Sequence, residues 1–177
     1  VQPLLVSGLS FLLLFNGTMN MQQVRSLYEK AALDEASCKE VIRLTEKSTP
    51  EKDPVSYCYL GAAQTISAQY ASNPYTKLQL FNTGKSKIEQ AATLQPKNVE
   101  IAYVRFTVQC GAPSFLNYNS AMTGDKTIIL DNLENVFRIQ KDFDLFYRII
   151  RFLEKNTNVT PAEKQRLKQI KTNLNVK

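Results

Sequence analysis

The chain has 177 residues, 44% of them hydrophobic and 21% charged, which suits one domain with a sizeable core and excludes a disordered chain. Six Gly and seven Pro argue against collagen-like or low-complexity structure, and the absence of histidine excludes His-based triads, imidazole general bases and H-E-x-x-H zinc sites. The net charge of +6 is unevenly placed: residues 25–137 carry 12 basic and 12 acidic groups, residues 138–177 carry 10 and 4, and the first 24 carry none.

In chain order, residues 4–15 (LLVSGLSFLLLF) form an apolar block of signal-peptide h-region length, short of the ~20 residues that a membrane-spanning helix needs. Residues 1–18 are therefore expected to be a signal peptide or, failing that, an apolar N-terminal helix, and 19–177 a single helical domain. Val24, Leu27, Tyr28 and Ala31, then Cys38, Val41, Ile42 and Thr45, recur at helical spacing and predict a short antiparallel pair turning near Leu33 and Asp34. After a break at 48–54, Asp53 reads as an N-cap with Pro54 at the first helical position. The next helix has an apolar face of Val55, Cys58, Tyr59, Ala62, Ala63, Ile66 and Tyr70. Asn73 and Pro74 repeat the cap-plus-proline device and open a fourth helix with Leu78, Phe81, Ile88, Ala91 and Ala92 inward. Two long helices joined so tightly must form an antiparallel hairpin.

Asn98 is a cap for a fifth helix burying Val99, Ala102, Tyr103, Phe106 and Cys110. Gly111 is expected to end it in a left-handed conformation before Pro113. Residues 114–124 (SFLNYNSAMTG) are irregular and rich in aromatic and amide groups. Helix resumes at Asp125 with Ile128, Ile129, Leu133, Val136 and Phe137, and again at Asp142 with Phe143, Phe146, Ile149, Ile150 and Leu153 inward. Thr160-Pro161-Ala162-Glu163 is a capping box that starts a last helix carrying Leu167 and Ile170. No stretch alternates with period two, so the fold class is all-α, with seven to eight helices. Cys38, Cys58 and Cys110 lack C-x-x-C spacing, so no metal or cofactor site is expected. They read as buried small hydrophobes, with one disulfide left open should the compartment be oxidising.

Residues 57–96 resemble a tetratricopeptide (TPR) repeat: Tyr57-x-x-Leu60-Gly61 stands where that repeat has W-x-x-L-G, and Ala91 to Pro96 matches its closing A-x-x-x-x-P. The departures are roughly three extra helical turns between Leu60 and Pro96, and Gln64 where the repeat has a large aromatic. The resemblance implies antiparallel hairpins stacked in a TPR-like right-handed array. More narrowly, Ala68-Gln69-Tyr70-x-x-Asn73-Pro74-Tyr75-x-Lys77-Leu78, Pro96-x-Asn98-x-Glu100-Ile101, Arg105-Phe106 and Pro113-Ser114-Phe115-Leu116-x-Tyr118 resemble an uncharacterised family of exported helical proteins from bacteria of the Bacteroidetes group. That resemblance implies a periplasmic or secreted location and no particular chemistry.

Without histidine, catalysis would need a carboxylate pair, a Ser-Lys dyad or a carboxylate-held metal. The acidic clusters Glu35/Glu40 and Asp142/Asp144 lie at helix starts, where the helix dipole already favours acids, so a non-enzymatic protein is expected. Gly84-Lys85-Ser86 lacks the glycine-rich approach of a phosphate loop. The candidate binding residues are Asn73, Tyr75, Lys77, Arg105, Phe115, Asn117 and Tyr118, whose aromatic faces and amide and Arg donors suit a peptide or small ligand. The plain alternative has Asn73 capping, Tyr75 packed under the 111–124 loop and Arg105 bonding loop carbonyls. Lys164, Arg166, Lys168, Lys171 and Lys177, with Arg148 and Arg151, make a basic C-terminal segment. In an exported protein that segment suits anionic lipid or acidic protein rather than nucleic acid. The expected function is a helical protein-interaction module of the bacterial envelope with a protein or peptide partner. The alternative is a small-molecule or lipid binder with a pocket under the 111–124 loop, lined by Phe106, Phe115 and Tyr118.

Overall fold

A local rule, the N-cap, sets most helix starts. In the computed structural model, which describes residues 20–176, side-chain oxygens of Asn20, Asp34, Asp53, Asn73, Asn98, Asp142 and Thr160 each accept from backbone N–H groups of the first turn. The starts read from Asp53-Pro54, Asn73-Pro74, Asn98, Asp142 and the Thr160/Glu163 capping box are all found. The helices among the described residues are α1 (Met21–Tyr28), α2 (Glu35–Thr45), α3 (Pro54–Ser67), α4 (Pro74–Leu94), α5 (Val99–Gly111), α6 (Met122–Arg138), α7 (Phe143–Lys155) and α8 (Pro161–Asn173). Short 3-10 turns occupy Ala68–Tyr70 and Ser114–Leu116. The segment 1–18 read as a signal peptide lies outside the described residues.

Successive helices pack as neighbours, α3 also packs on α5, and one contiguous apolar core takes side chains from all eight. Among the described residues the result is an all-α eight-helix bundle whose packing is consistent with stacked hairpins. Its tightest crossing is α3 on α4, at two glycines. A Cβ on Gly61 would lie 2.6 Å from the Gly84 carbonyl oxygen and 2.9 Å from the Lys87 Cβ; one on Gly84 would meet the Gly61 carbonyl and come within 2.7 Å of the Thr65 nitrogen. Only side chains without a Cβ let these backbones touch. Gln64, three residues from Gly61, carries the single buried side-chain oxygen without a partner among the described residues.

Helix α1 does more than pair with α2. Arg25, buried, donates through Nε and Nη2 to both oxygens of Glu100 on α5, each at 2.7 Å. Its Nη1 and Nη2 also reach Asp142 at 3.1 and 2.8 Å and Asp144 at 3.3 Å, at the start of α7. The Tyr59 hydroxyl donates to Glu100 at 3.0 Å. Arg148 of α7 completes the tie, bonding Ser26 at 2.8 Å, Glu29 at 2.5 Å and Asp144 at 2.9 Å. So α1 lies across α3, α5 and α7, an arrangement that pairwise hairpin stacking does not itself require.

Several expectations need correction, among them the start of α6, which lies at Met122 rather than Asp125. Gly111 closes α5 without a positive φ, and Ala112 follows in an extended conformation, so Pro113 alone enforces the stop. Leu78 and Phe143, expected inward, are about half exposed. Cys38 and Cys58 are buried as expected while Cys110 is partly exposed, and all three are free thiols; burial pushes the Cys38 thiol up to about 11. At the C-terminus, Leu167, Ile170 and Leu174 bury one face of the last segment, Arg166 pairs with Asp131 at 2.6 Å, and Lys171 with Glu154 at 2.8 Å. Lys164 and Lys168 make no ion pair among the described residues.

Two outcomes follow from this packing. Gly84→Ala should cost about 2 kcal/mol, a Tm loss of roughly 4–8 °C, whereas Gly124→Ala, whose Cβ meets nothing within 4 Å, should leave Tm unchanged or raised; thermal unfolding of both checks this. Burial opposes ionisation of Asp144, but hydrogen bonds from Arg148 and Arg25 outweigh it and hold its carboxyl below the ordinary 3.8. A carboxylate with a depressed folded pKa contributes stability that is present above its unfolded pKa and lost as the pH falls through the folded one. Asp144→Asn should therefore lose less stability than the parent between about pH 5 and about pH 2 in urea titrations.

Candidate ligand-binding cleft

The sequence-predicted residues divide between an interior polar network and an open cleft. Arg105 on α5 donates to Asp125 on α6 at 2.6 and 3.0 Å and reaches Glu89 on α4 at 3.0 Å. Asp125 is fully buried, and Gln109 Nε2 donates to it at 2.9 Å while Gln109 Oε1 accepts from the Ala121 backbone at 3.2 Å. Tyr118, buried, donates to Glu89 at 2.6 Å and meets the edge of the Phe81 ring at 5.9 Å. Asn117 adopts a left-handed conformation (φ 47°), which asparagine tolerates, and turns the chain so that Tyr118 points inward. These groups hold down the 111–124 loop. Arg105 does so through carboxylates, not through loop carbonyls. Asn73 caps α4, and Tyr75, expected under the loop, is 77% exposed. The expected pocket lined by Phe106, Phe115 and Tyr118 is not present: Phe106 and Tyr118 are buried, and neither reaches the cleft.

Lys77 and Phe115 both line a half-open cleft of about 990 Å³. This volume is at the upper end of ligand pockets, roughly 300–1,000 Å³. The helix caps place its walls. Asn73 and Pro74 start α4 at the cleft edge, so Lys77 and Leu78 fall one turn in and Phe81 at the base. Pro113 stops α5, and the Ser114–Leu116 turn then stands Phe115 off the surface, 78% exposed. Val108 and Tyr103 come from α5, Tyr28 from α1, Ile66 from α3 and Phe152 from α7. Tyr103 and Phe152 meet edge to face at 5.7 Å. The odd-numbered helices thus all contribute, and α1 reaches the cleft because Arg25 fixes it there.

The cleft is basic. Four cations line it, Lys77 on α4 and Arg148, Arg151 and Lys155 on α7, against one carboxylate, Glu29. Arg148 is fully engaged, whereas Arg151 reaches only Glu29, at 3.6 Å, and Lys77 and Lys155 have no ion pair among the described residues. Most other polar lining groups are bonded within the protein. Tyr28 and Thr107 share a hydrogen bond of 2.7 Å, Thr65 donates to the Ala62 carbonyl at 2.7 Å, and Gln69 donates to the Ala32 carbonyl at 2.8 Å. The exception is the Tyr103 hydroxyl, which makes no hydrogen bond among the described residues. Burial pushes its pKa up, Glu29 adds to this, and Arg148 and Arg151 pull against it, so it remains a protonated donor.

Arg148 and Arg151 were read in the sequence as part of a basic segment, but the α7 face that they form with Phe152 and Lys155 was missed. Arg148, Arg151, Phe152 and Lys155 fall at i, i+3, i+4 and i+7, which puts them on one side of a helix, but the opposite face of Phe146, Ile149, Ile150 and Leu153 dominated the pattern. Among the described residues no cluster of potential metal ligands occurs, and no helix is long and apolar enough to cross a membrane. No family model, curated protein or solved structure matches the chain.

Tyr118→Phe should lower stability by about 1 kcal/mol through the lost bond to Glu89 while leaving the binding of any cleft ligand unchanged. Chemical denaturation paired with a ligand titration reads both effects.

Proposed function

We propose that the protein is a non-enzymatic, TPR-like helical binding protein of the bacterial cell envelope, and that its cleft holds an amphiphilic small molecule or lipid. The observation that carries this reading is the cleft itself: about 990 Å³, walled by aromatic and aliphatic groups, with nearly all its internal hydrogen bonds already made. Such a surface rewards apolar burial, and its few free polar groups orient the ligand. The ligand lies between Phe115 and the α4 and α7 walls, on the other side of the Ser114–Leu116 turn from the interior network.

The TPR-like character is supported by the α3/α4 hairpin. Gly61 and Gly84 make its closest approach, and the small Gly84 followed four residues later by the large, buried Ile88 repeats the A-x-x-x-F spacing of that repeat. The first helix of each hairpin contributes to the cleft, with α4 supplying a further wall, and the first-helix contribution also suits a stacked array. The envelope location rests on the uncharged apolar block at residues 4–15 and on the resemblance to exported Bacteroidetes proteins.

A second reading, a protein-interaction module with a peptide partner, is favoured by the exposure of Tyr75 and Phe115 near and on the cleft rim. In that reading the half-buried Lys164 and the exposed Lys168 of α8 offer a peripheral contact to anionic membrane or acidic protein. The first reading is preferred because a peptide brings backbone amides that the apolar walls leave unpaired.

Titration of the full chain with N-phenyl-1-naphthylamine, a neutral apolar fluorophore, tests the proposal. One saturable site is expected, weakened about tenfold in the Leu78→Glu/Phe115→Glu double variant, whose positions are exposed enough to leave the fold intact, and unaffected by Ile139→Glu outside the cleft. Equal binding by all three proteins would place the fluorophore elsewhere and contradict the proposal.

A further inference from the structure

The cleft has a polarity along its length that a general apolar pocket does not need. On one side stand Leu78, Phe81 and Phe115, with Lys77 exposed at the outer edge. On the other stands the α7 face, where Arg151 and Lys155 flank Phe152, the ring that Tyr103 packs against. Of the α7 cations, Arg148 has its guanidinium occupied by Glu29, Asp144 and Ser26. Arg151 and Lys155 are left with donors to spare, and the unbonded Tyr103 hydroxyl lies in the combined field of Glu29, Arg148 and Arg151.

We infer that the cleft binds a long-chain monocarboxylate, its alkyl chain against Leu78, Phe81 and Phe115 and its carboxylate received by Arg151, Lys155 and the Tyr103 hydroxyl. This inference rests on the reading of the cleft as an amphiphile site and names the ligand class. Charge complementarity argues for an anion, since Glu29, the one carboxylate lining the cleft among the described residues, is already paired with Arg148 while Lys77, Arg151 and Lys155 keep charge to spare. The donor set argues for a carboxylate: a guanidinium, an ammonium and a phenol supply charge-assisted and neutral hydrogen bonds to two oxygens. The satisfied interior argues for a plain alkyl chain, because a chain with no amide or hydroxyl group strands nothing polar between apolar walls. Lys77, on the far wall, adds to the anionic preference of the whole cleft without having to reach the head group.

The test is displacement of N-phenyl-1-naphthylamine from the full chain by laurate, by methyl laurate and by dodecyltrimethylammonium, which share chain length and differ in head charge. Laurate should bind about tenfold more tightly than either. In Arg151→Gln/Lys155→Gln, two exposed positions, the preference for laurate over methyl laurate should fall to about threefold or less, and Tyr103→Phe should reduce it without altering the fold. Ile139→Glu, outside the cleft, should leave it unchanged. Equal affinities for laurate and methyl laurate, or a preference that survives both α7 substitutions, overturn the head-group assignment while the cleft reading stands. Tighter displacement by lysophosphatidylcholine than by laurate overturns the carboxylate in favour of a phospholipid. Failure of the fluorophore to bind the parent protein overturns both proposals together.

Discussion

The Arg25 guanidinium is the junction on which the arrangement of the bundle depends. Its donors are saturated by Glu100, Asp142 and Asp144, which come from chain positions 75 to 119 residues away and from two different helices. Burying such a group is costly, and only full hydrogen bonding makes it tolerable; removing one partner of a buried pair typically costs about 3–5 kcal/mol. Here the bidentate grip on Glu100, reinforced by the Tyr59 hydroxyl, fixes the direction of α1 as well as its distance. Arg148 repeats the device from α7, so the helix that supplies three of the cleft's four cations also clamps α1, which brings Tyr28 to the cleft.

The second constraint is steric. Gly61 against Gly84 brings α3 and α4 into backbone contact and so fixes how closely the two helices cross. The Arg105, Asp125, Glu89 and Tyr118 network then anchors the loop from beneath. One side of that loop is therefore packed and polar, and its outer side, with Phe115 and Leu116, is left to the cleft. Loops are commonly where a rigid scaffold carries its binding groups.

How much of this was legible in the sequence follows from the range of each interaction. Caps are local, so Asp53, Asn73, Asn98, Asp142 and Thr160 announced their helices, and the apolar periodicity announced an all-α chain. The position of α1 was not legible, because nothing in a window around Arg25 points to Glu100 or Asp142. Gly111 looked like a left-handed terminator, yet proline two residues on was sufficient, and the left-handed residues among those described are Asn117, Lys141 and Asn175. Among the candidate residues, Lys77 and Phe115 line the cleft, while Arg105 and Tyr118 turned inward for want of any local signal to tell the two sides of the loop apart. The basic C-terminal surplus also divides: Arg148 is buried, Arg151 and Lys155 face the cleft, and Arg166 and Lys171 are paired on the surface.

The central claim, that an apolar cleft between α4 and α7 receives an anionic amphiphile, is tested most directly by a crystal structure of the full chain with laurate. Alkyl density is expected against Leu78, Phe81 and Phe115, with the carboxylate within hydrogen-bonding distance of Arg151, Lys155 or the Tyr103 hydroxyl. Laurate bound at saturation anywhere else, with this cleft holding only solvent, would contradict it.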